Sequence, residues 1–166
     1  MKITLIGSGN VATHLAIAFH QQGHTLLEVA GRSEKSVKKL AGKYNSTPVL
    51  NIRDLNKKSD VYIIAVPDHD IPLLARQLPL SNQLVVHTSG TVPLRAFPKK
   101  LTNTGIFYPL QTFTAGKRVN YANIPVCIEA RLKASERKLS TLAGSISERV
   151  VHLDSAKRAW LHLSAV

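Results

Sequence analysis

Apolar residues in this chain come in short runs that break at glycine or proline and resume at helical spacing. The first run, Lys2-Ile3-Thr4-Leu5-Ile6, stops at Gly7-Ser8-Gly9 and resumes as Ala12, Leu15, Ala16 and Phe19. This predicts a strand, a glycine turn and a helix. Gln21-Gln22-Gly23-His24 closes that helix, with Gly23 in the position after its last turn. A second strand is expected over residues 25–30, ended by Gly31-Arg32-Ser33. Ser33 can cap the next helix, which runs to about Lys43; Ser36 stands where a capping box usually carries Glu or Gln. Val49-Leu50 reads as a short strand. Residues 60–67 hold the clearest one, since the six apolar residues from Val61 to Val66 suggest burial on both faces, the mark of a parallel sheet. Pro67 stops it, and Asp68 is a candidate N-cap for a helix whose Leu73, Leu74 and Leu78 face inward. Further strands are expected at 84–87, 106–108, 124–129 and 149–153, and a helix over 133–147.

A last helix begins at Ser155. Ala156, Ala159, Trp160, Leu163 and Val166 fall on one apolar stripe, which is expected to pack inward at its start. No Gly, Pro or Asn stops it, so the chain is expected to end inside a helix. Alternating strands and helices predict an α/β fold of Rossmann type: a doubly wound, mainly parallel sheet with helices on both faces. Residues 1–153 form the domain, and 154–166 begin a C-terminal helical domain. Ligands in such sheets bind beyond the carboxyl ends of the strands. The loops expected to converge there are 7–12, 31–33, 65–69 and 87–91.

The first of these loops carries the strongest chemical signal. Gly7-Ser8-Gly9-Asn10-Val11-Ala12 is a Gly-x-Gly-x-x-Ala turn between a strand and a helix, the context of a dinucleotide fingerprint. Gly7 permits the tight turn, Gly9 leaves room for a pyrophosphate, and Ala12 lets the helix pack closely on the strand. The helix start offers free N–H groups to phosphates. The alternative is a β–α turn built of small residues for packing alone. About twenty residues on, where an acid would bind the ribose 2′-hydroxyl of NAD, stands Gly31-Arg32-Ser33. Glu28 comes too early. A guanidinium and a hydroxyl suit a 2′-phosphate, so NADP is the expected cofactor, unless Arg32 is an ordinary loop arginine. Ala65, Val66 and Pro67 are small enough to let the dinucleotide cross the sheet.

His87-Thr88-Ser89-Gly90 follows a buried strand and is expected to meet substrate and nicotinamide. His87 suits either an acid/base group or a structural histidine bonded to backbone. With no Gly-x-Ser-x-Gly elbow, Ser89 is not read as a covalent nucleophile. His87 and Ser89 are the catalytic candidates. His162, on the last helix, is read as packing or as a residue reaching the active site. No metal site is expected: His20 and His24 are separated by Gly23, and Cys127 is the single cysteine. Cys127 lies in an apolar run and reads as core.

The net charge of +12 invites a nucleic-acid reading. The basic residues, however, come as isolated pairs such as Lys38-Lys39, Lys57-Lys58 and Lys157-Arg158, with no long block and no interleaved aromatics. A solvated face is expected instead, and no nucleic-acid partner. No run approaches the roughly 20 apolar residues of a membrane span. Gly7 and Gly9 interrupt the opening run, so no signal peptide is expected, and one cysteine fits the reducing cytoplasm.

The fingerprint, Gly31-Arg32-Ser33, Ala65-Val66-Pro67-Asp68, His87-Thr88-Ser89-Gly90 and Phe107-Tyr108-Pro109-Leu110-Gln111-Thr112-Phe113 together resemble a bacterial family of Rossmann-like NADP oxidoreductases with a C-terminal helical domain of unknown function. More remotely, the N-terminal half is similar to pyrroline-5-carboxylate reductase, the deazaflavin-dependent NADP reductases and the β-hydroxyacid dehydrogenases. The resemblance implies an NADP-dependent oxidoreductase acting on a small molecule. It also implies a homodimer built through a further helical region. No residue here matches the lysine that the β-hydroxyacid dehydrogenases carry on the following helix, so the resemblance does not supply a catalytic acid. A non-catalytic NADP-binding sensor or scaffold is the alternative.

Overall fold

A computed structural model describes residues 1–117 and 119–165, apart from the side chain of Ala165. Eight strands form one sheet: β1 (Lys2–Ile6), β2 (Thr25–Ala30), β3 (Thr47–Val49), β4 (Val61–Ile64), β5 (Val85–His87), β6 (Thr104–Pro109), β7 (Val126–Ala130) and β8 (Val150–His152). Their spatial order is β3-β2-β1-β4-β5-β6-β7-β8. From β1 the chain first winds outward through β2 and β3, then returns to β4 on the other side. The switch point between β1 and β4 is where such sheets open a crevice. All neighbouring strands run parallel except β6 and β7. The reversal at β7 is the departure from the parallel expectation. Among the described residues of 110–125 no α-helix intervenes between β6 and β7, and the chain returns antiparallel.

Among the described residues five α-helices cover the sheet: α1 (Asn10–Gln21), α2 (Glu34–Lys43), α3 (Ile71–Gln77), α4 (Lys133–Ile146) and α5 (Ser155–Ala165). Side chains alternate across the central strands. Leu5, Ile63, Val86 and Phe107 enter the core shared with α1, α2 and α4. Ile6, Ile64 and Val85 enter the core under α3. Every residue of β4 is buried, as its continuous apolar run requires. α1 ends as expected on Gly23 at φ +74°. The His24 N–H reaches the Phe19 carbonyl at 3.0 Å and the Gly23 N–H reaches His20 at 3.1 Å, a paired C-terminal closure.

Several expectations are corrected. Ser33 precedes α2, but its hydroxyl bonds the Ser36 hydroxyl at 3.0 Å instead of a backbone N–H. Asp68 does not cap α3. It opens a single 3-10 turn, Asp68–Asp70, and its carboxylate is used elsewhere. Leu73 is exposed, while Leu78 is buried. α5 is turned over relative to its apolar stripe. Ala156 is exposed, and Trp160 and Leu163 are 75% and 67% exposed, whereas Arg158, read as part of a solvated pair, is fully buried. Val166 lies outside the described residues. A buried ion pair decides the orientation: Arg158 Nη1 donates to Glu129 Oε2 on β7 at 2.6 Å, and Nη2 donates to the Val92 carbonyl at 2.6 Å. The Ser155 hydroxyl donates to the same Glu129 oxygen at 2.7 Å.

Candidate cofactor cleft and active site

The crevice between β1 and β4 opens into a cleft of about 560 Å³, within the usual range of ligand sites. Gly7, Ser8, Gly9, Gly31, Arg32, Ser33, Ala65, Val66 and Pro67 all line it. Three separate stretches of sequence thus meet because β1, β2 and β4 are neighbours. Their ends are tied together: the Gly7 N–H donates to the Ala30 carbonyl at 2.7 Å, and the Ala65 N–H to the Ile6 carbonyl at 2.7 Å. Leu50, Asn51, Ile52, Asp70, Leu73, Leu74 and Gln77 complete the walls. Sequence reasoning missed these as cleft residues and read Leu73 and Leu74 as facing inward; no local pattern in the sequence marks them.

The two fingerprint glycines serve different ends. Gly7 sits at φ +127°, and a Cβ there would lie 2.1 Å from the Ala65 carbonyl oxygen. Packing alone demands glycine at that point. Gly9 has an ordinary extended φ of −82°, and a Cβ there would meet no atom within 4 Å. No protein atom occupies the space above Gly9, which opens into the cleft. α1 begins at this point with no side-chain cap and no acid in its first turn. The N–H groups of its first residues Asn10, Val11 and Ala12 therefore offer donors and a positive dipole end. These features fit a pyrophosphate.

Of the fingerprint side chains, Ala12 is buried against the sheet and Val11 packs on its edge. Asn10 faces away from the cleft. Its side chain donates to the Phe113 carbonyl at 3.1 Å and lines a second groove, of about 920 Å³, between α1, α2 and residues 115–117, Val119 and Tyr121. Nearby, His14 Nε2 donates to the Thr114 carbonyl at 3.0 Å. These two bonds pin the 111–114 segment to α1.

Arg32 stands at the cleft mouth with its side chain 88% exposed, and its guanidinium donates to Asp70 at 2.9 Å. Glu28 is buried in β2, where it accepts from Thr4 and from the Asn56 N–H. It is a structural acid and is not available to a ribose.

At the carboxyl end of β5 the geometry is tighter. His87 is fully buried and stacks on Phe97. Burial first, and then the nearby Arg158 charge, push its pKa down to about 3, against a smaller upward pull from Asp68. It is therefore neutral near pH 7. Its Nδ1 accepts the Ser89 N–H at 3.2 Å, which leaves the proton on Nε2. That Nε2 has no partner among the described residues. The Ser89 hydroxyl donates to Asp68 Oδ2 at 2.6 Å and accepts from the N–H groups of Thr91 and Val92. Thr91 donates to the same carboxylate oxygen at 2.7 Å. Ser89 thus fastens the turn after β5 to the turn after β4. Thr88 donates its N–H to the Ile64 carbonyl at 3.1 Å, which ties the same two strands.

Gly90 faces α5. A Cβ there would come within 2.7 Å of the His162 ring and 2.9 Å of the Tyr108 ring. Tyr108 Oη and His162 Nδ1 are 2.8 Å apart. His162 therefore does reach the loops at the carboxyl edge. Burial holds the Tyr108 phenol above its ordinary pKa; Cys127 and Asp68 add to this and Arg158 opposes it. His20 and His24 go separate ways: His20 packs against Tyr44 with its ring tilted by 55°, while His24 bonds the N-terminal amine and Ser145. Cys127 is buried, and burial raises its thiol pKa. Among the described residues no helix is long and apolar enough to cross a membrane.

The profile of the coenzyme F420-dependent NADP oxidoreductases matches residues 2–90, the stretch from β1 through Gly90. The chain belongs to that family. No curated protein matches it. Among solved structures, a candidate NADP oxidoreductase from Bacteroides fragilis is 32% identical, with a TM-score of 0.90 over 99% of this chain. Prephenate dehydrogenase from A. aeolicus, solved with NAD+ and hydroxyphenyl propionate, is 11% identical with a TM-score of 0.78 over 97% of the chain. An imine reductase from Myxococcus stipitatus, solved with NADP+, is 19% identical with a TM-score of 0.71 over 99%. The last two show the fold alone. The chain spans 65%, 62% and 60% of these three proteins' lengths.

Proposed function

We propose that this chain is the cofactor-binding part of an NADP-dependent oxidoreductase acting on a small carbonyl, imine or hydroxyl compound. The open space above Gly9, facing the uncapped start of α1, is the observation that carries the reading. A bound reduced nicotinamide would supply the hydride; the protein supplies orientation, electrostatics and exclusion of water. Gly7, Ser8, Gly9 and the first N–H groups of α1 would hold the pyrophosphate. Gly31, Arg32 and Ser33 would hold the adenosine end, with Arg32 turning from Asp70 to a 2′-phosphate. Ala65, Val66 and Pro67 would flank the path toward Thr88, Ser89 and Gly90. His87 and Ser89 serve this site by shaping it. The neutral His87 fixes the Ser89 N–H, and Ser89 holds Asp68 in place.

Calorimetric titration with NADP(H) and NAD(H) tests the binding half. Loss of reduced-nicotinamide absorbance with a panel of carbonyls and cyclic imines tests turnover. A sensor or scaffold that binds the cofactor and transfers no hydride is the second reading. It is favoured by the burial of His87 and the full occupation of the Ser89 hydroxyl. Binding without turnover, in the longest natural form of the protein, would select it. A cytoplasmic location and a homodimer belong to the first reading. The exposed Trp160 and Leu163 on α5 support an interface there, and sedimentation velocity tests it.

A further inference from the structure

A reduction needs a proton as well as a hydride, and the two residues read from sequence as catalytic do not present one. His87 is sealed from solvent, and the Ser89 hydroxyl already donates to Asp68. The carboxyl edge of the sheet carries a different pair. Tyr108 lies near the end of β6, two strands beyond β4 along the edge that the cleft follows. Its hydroxyl is 2.8 Å from His162 Nδ1, and the His162 ring is partly exposed at the surface of α5. Gly90 is what lets them in: any side chain there would overlap both rings. The arrangement is a phenol beside the turn after β5, with an imidazole behind it that opens to water.

We propose that Tyr108 and His162 are the proton-transfer pair of this site, Tyr108 toward the substrate and His162 toward solvent. The inference rests on the NADP-dependent reading above. In the reducing direction the electrophilic carbon of a C=O or C=N group accepts the hydride supplied by the reduced nicotinamide. The heteroatom takes the Tyr108 proton as the π bond breaks. The phenolate oxygen takes the Nδ1 proton of a His162 imidazolium, and the neutral imidazole regains a proton from water. In the oxidising direction each transfer reverses, with neutral His162 accepting the Tyr108 proton. The charged and titratable groups around the pair are Asp68 from the turn after β4, Cys127 and Glu129 from β7, and Arg158 one turn back on α5. Arg158 is paired with Glu129 at 2.6 Å, which weakens its opposition to an imidazolium.

The test reads the pair without needing a substrate. The His162 ring signals, assigned with His162→Gln, are followed by NMR at one pH in the chain alone, with NADP+ and with NADPH. The two cofactors differ in charge only at the nicotinamide. If that ring lies beside the pair, the His162 ring signals take different positions with NADP+ and with NADPH, because a unit charge at close range acts on them. Tyr108→Phe, which removes only a hydroxyl, moves the His162 signals in the free chain as well. Identical His162 signals with the two cofactors, both shown bound by calorimetry, overturn the inference and leave the cofactor reading intact. Failure of either cofactor to bind overturns the cofactor reading itself, and this inference with it.

Discussion

Arg32 and Asp70 face each other across the mouth of the cleft at 2.9 Å, one from the end of β2 and one from the turn before α3. The guanidinium that suits a 2′-phosphate is held by an acid that would repel it. Arg32→Ala should weaken NADP binding by roughly 1.5–3 kcal/mol, the scale of a hydrogen bond to a charged group, with NAD nearly unchanged. Asp70→Asn should act oppositely. It frees Arg32 and removes a negative charge, so NADP affinity rises by up to about fivefold, the upper range for an exposed pair. Calorimetry on both variants and both cofactors decides it. Equal affinity of the wild-type chain for NAD and NADP would remove the assigned role of Arg32.

Gly9→Val should abolish binding of either cofactor and leave the fold intact, since a Cβ at Gly9 meets no protein atom within 4 Å. Gly7→Ala should do the reverse kind of damage. At φ +127° and 2.1 Å from the Ala65 carbonyl, it should cost about 2 kcal/mol of stability or more. Circular dichroism melts alongside titration separate the two. Retained binding in Gly9→Val would mean that the turn is built for packing only.

The burial of His87 predicts a pH dependence of stability. Its pKa is about 3 in the folded chain, against an ordinary histidine value of 6.5. The unfolded state therefore binds the extra proton between those limits. Stability is fully present above pH 6.5 and falls as pH drops toward 3, by about 1.4 kcal/mol per unit at the steepest. His87→Phe keeps a ring against Phe97 and cannot titrate. Urea unfolding at pH 7, 5.5 and 4.5 should show a shallower acid slope for the variant; identical slopes would refute the assignment.

Arg158→Ala should strip α5 from the sheet. It leaves Glu129 half-satisfied and frees the Val92 carbonyl, and removing one partner of a buried pair costs about 3–5 kcal/mol. Limited proteolysis should cut near residue 154 in the variant first. Trp160 is the single tryptophan and is 75% exposed, so its emission should be that of a solvated indole, and a blue shift would report anything that covers α5.

What could be read in the sequence was what local geometry dictates. Gly7, Gly9 and Ala12 mark one strand–turn–helix, although the contact that excludes a side chain at Gly7 comes from Ala65, and the β4 run carries its own burial pattern. The orientation of α5 could not be read this way. Its apolar stripe pointed one way, and a pair 29 positions apart, Arg158 with Glu129, turned it the other. A hydrophobic stripe predicts burial only when the polar face has nothing stronger to bind. The same holds for Asp68, whose candidacy as a helix cap followed from its neighbours, while its partners Ser89 and Thr91 lie more than twenty residues on. The reversal at β7 rests on the path of 110–125, which has no periodicity to reveal it.

Gly90 makes the two ends of the site differ in when they come into being. The walls of the cofactor cleft are all drawn from residues 6 to 77, so a chain leaving the ribosome N-terminus first has emitted every one of them before β5 is made. The imidazole over Gly90 comes from residue 162 and arrives only after β7, α4 and β8 have been laid down. Until then Tyr108 stands without its His162 partner. The residues that wall the cleft and the residue that partners Tyr108 are thus made at opposite ends of synthesis.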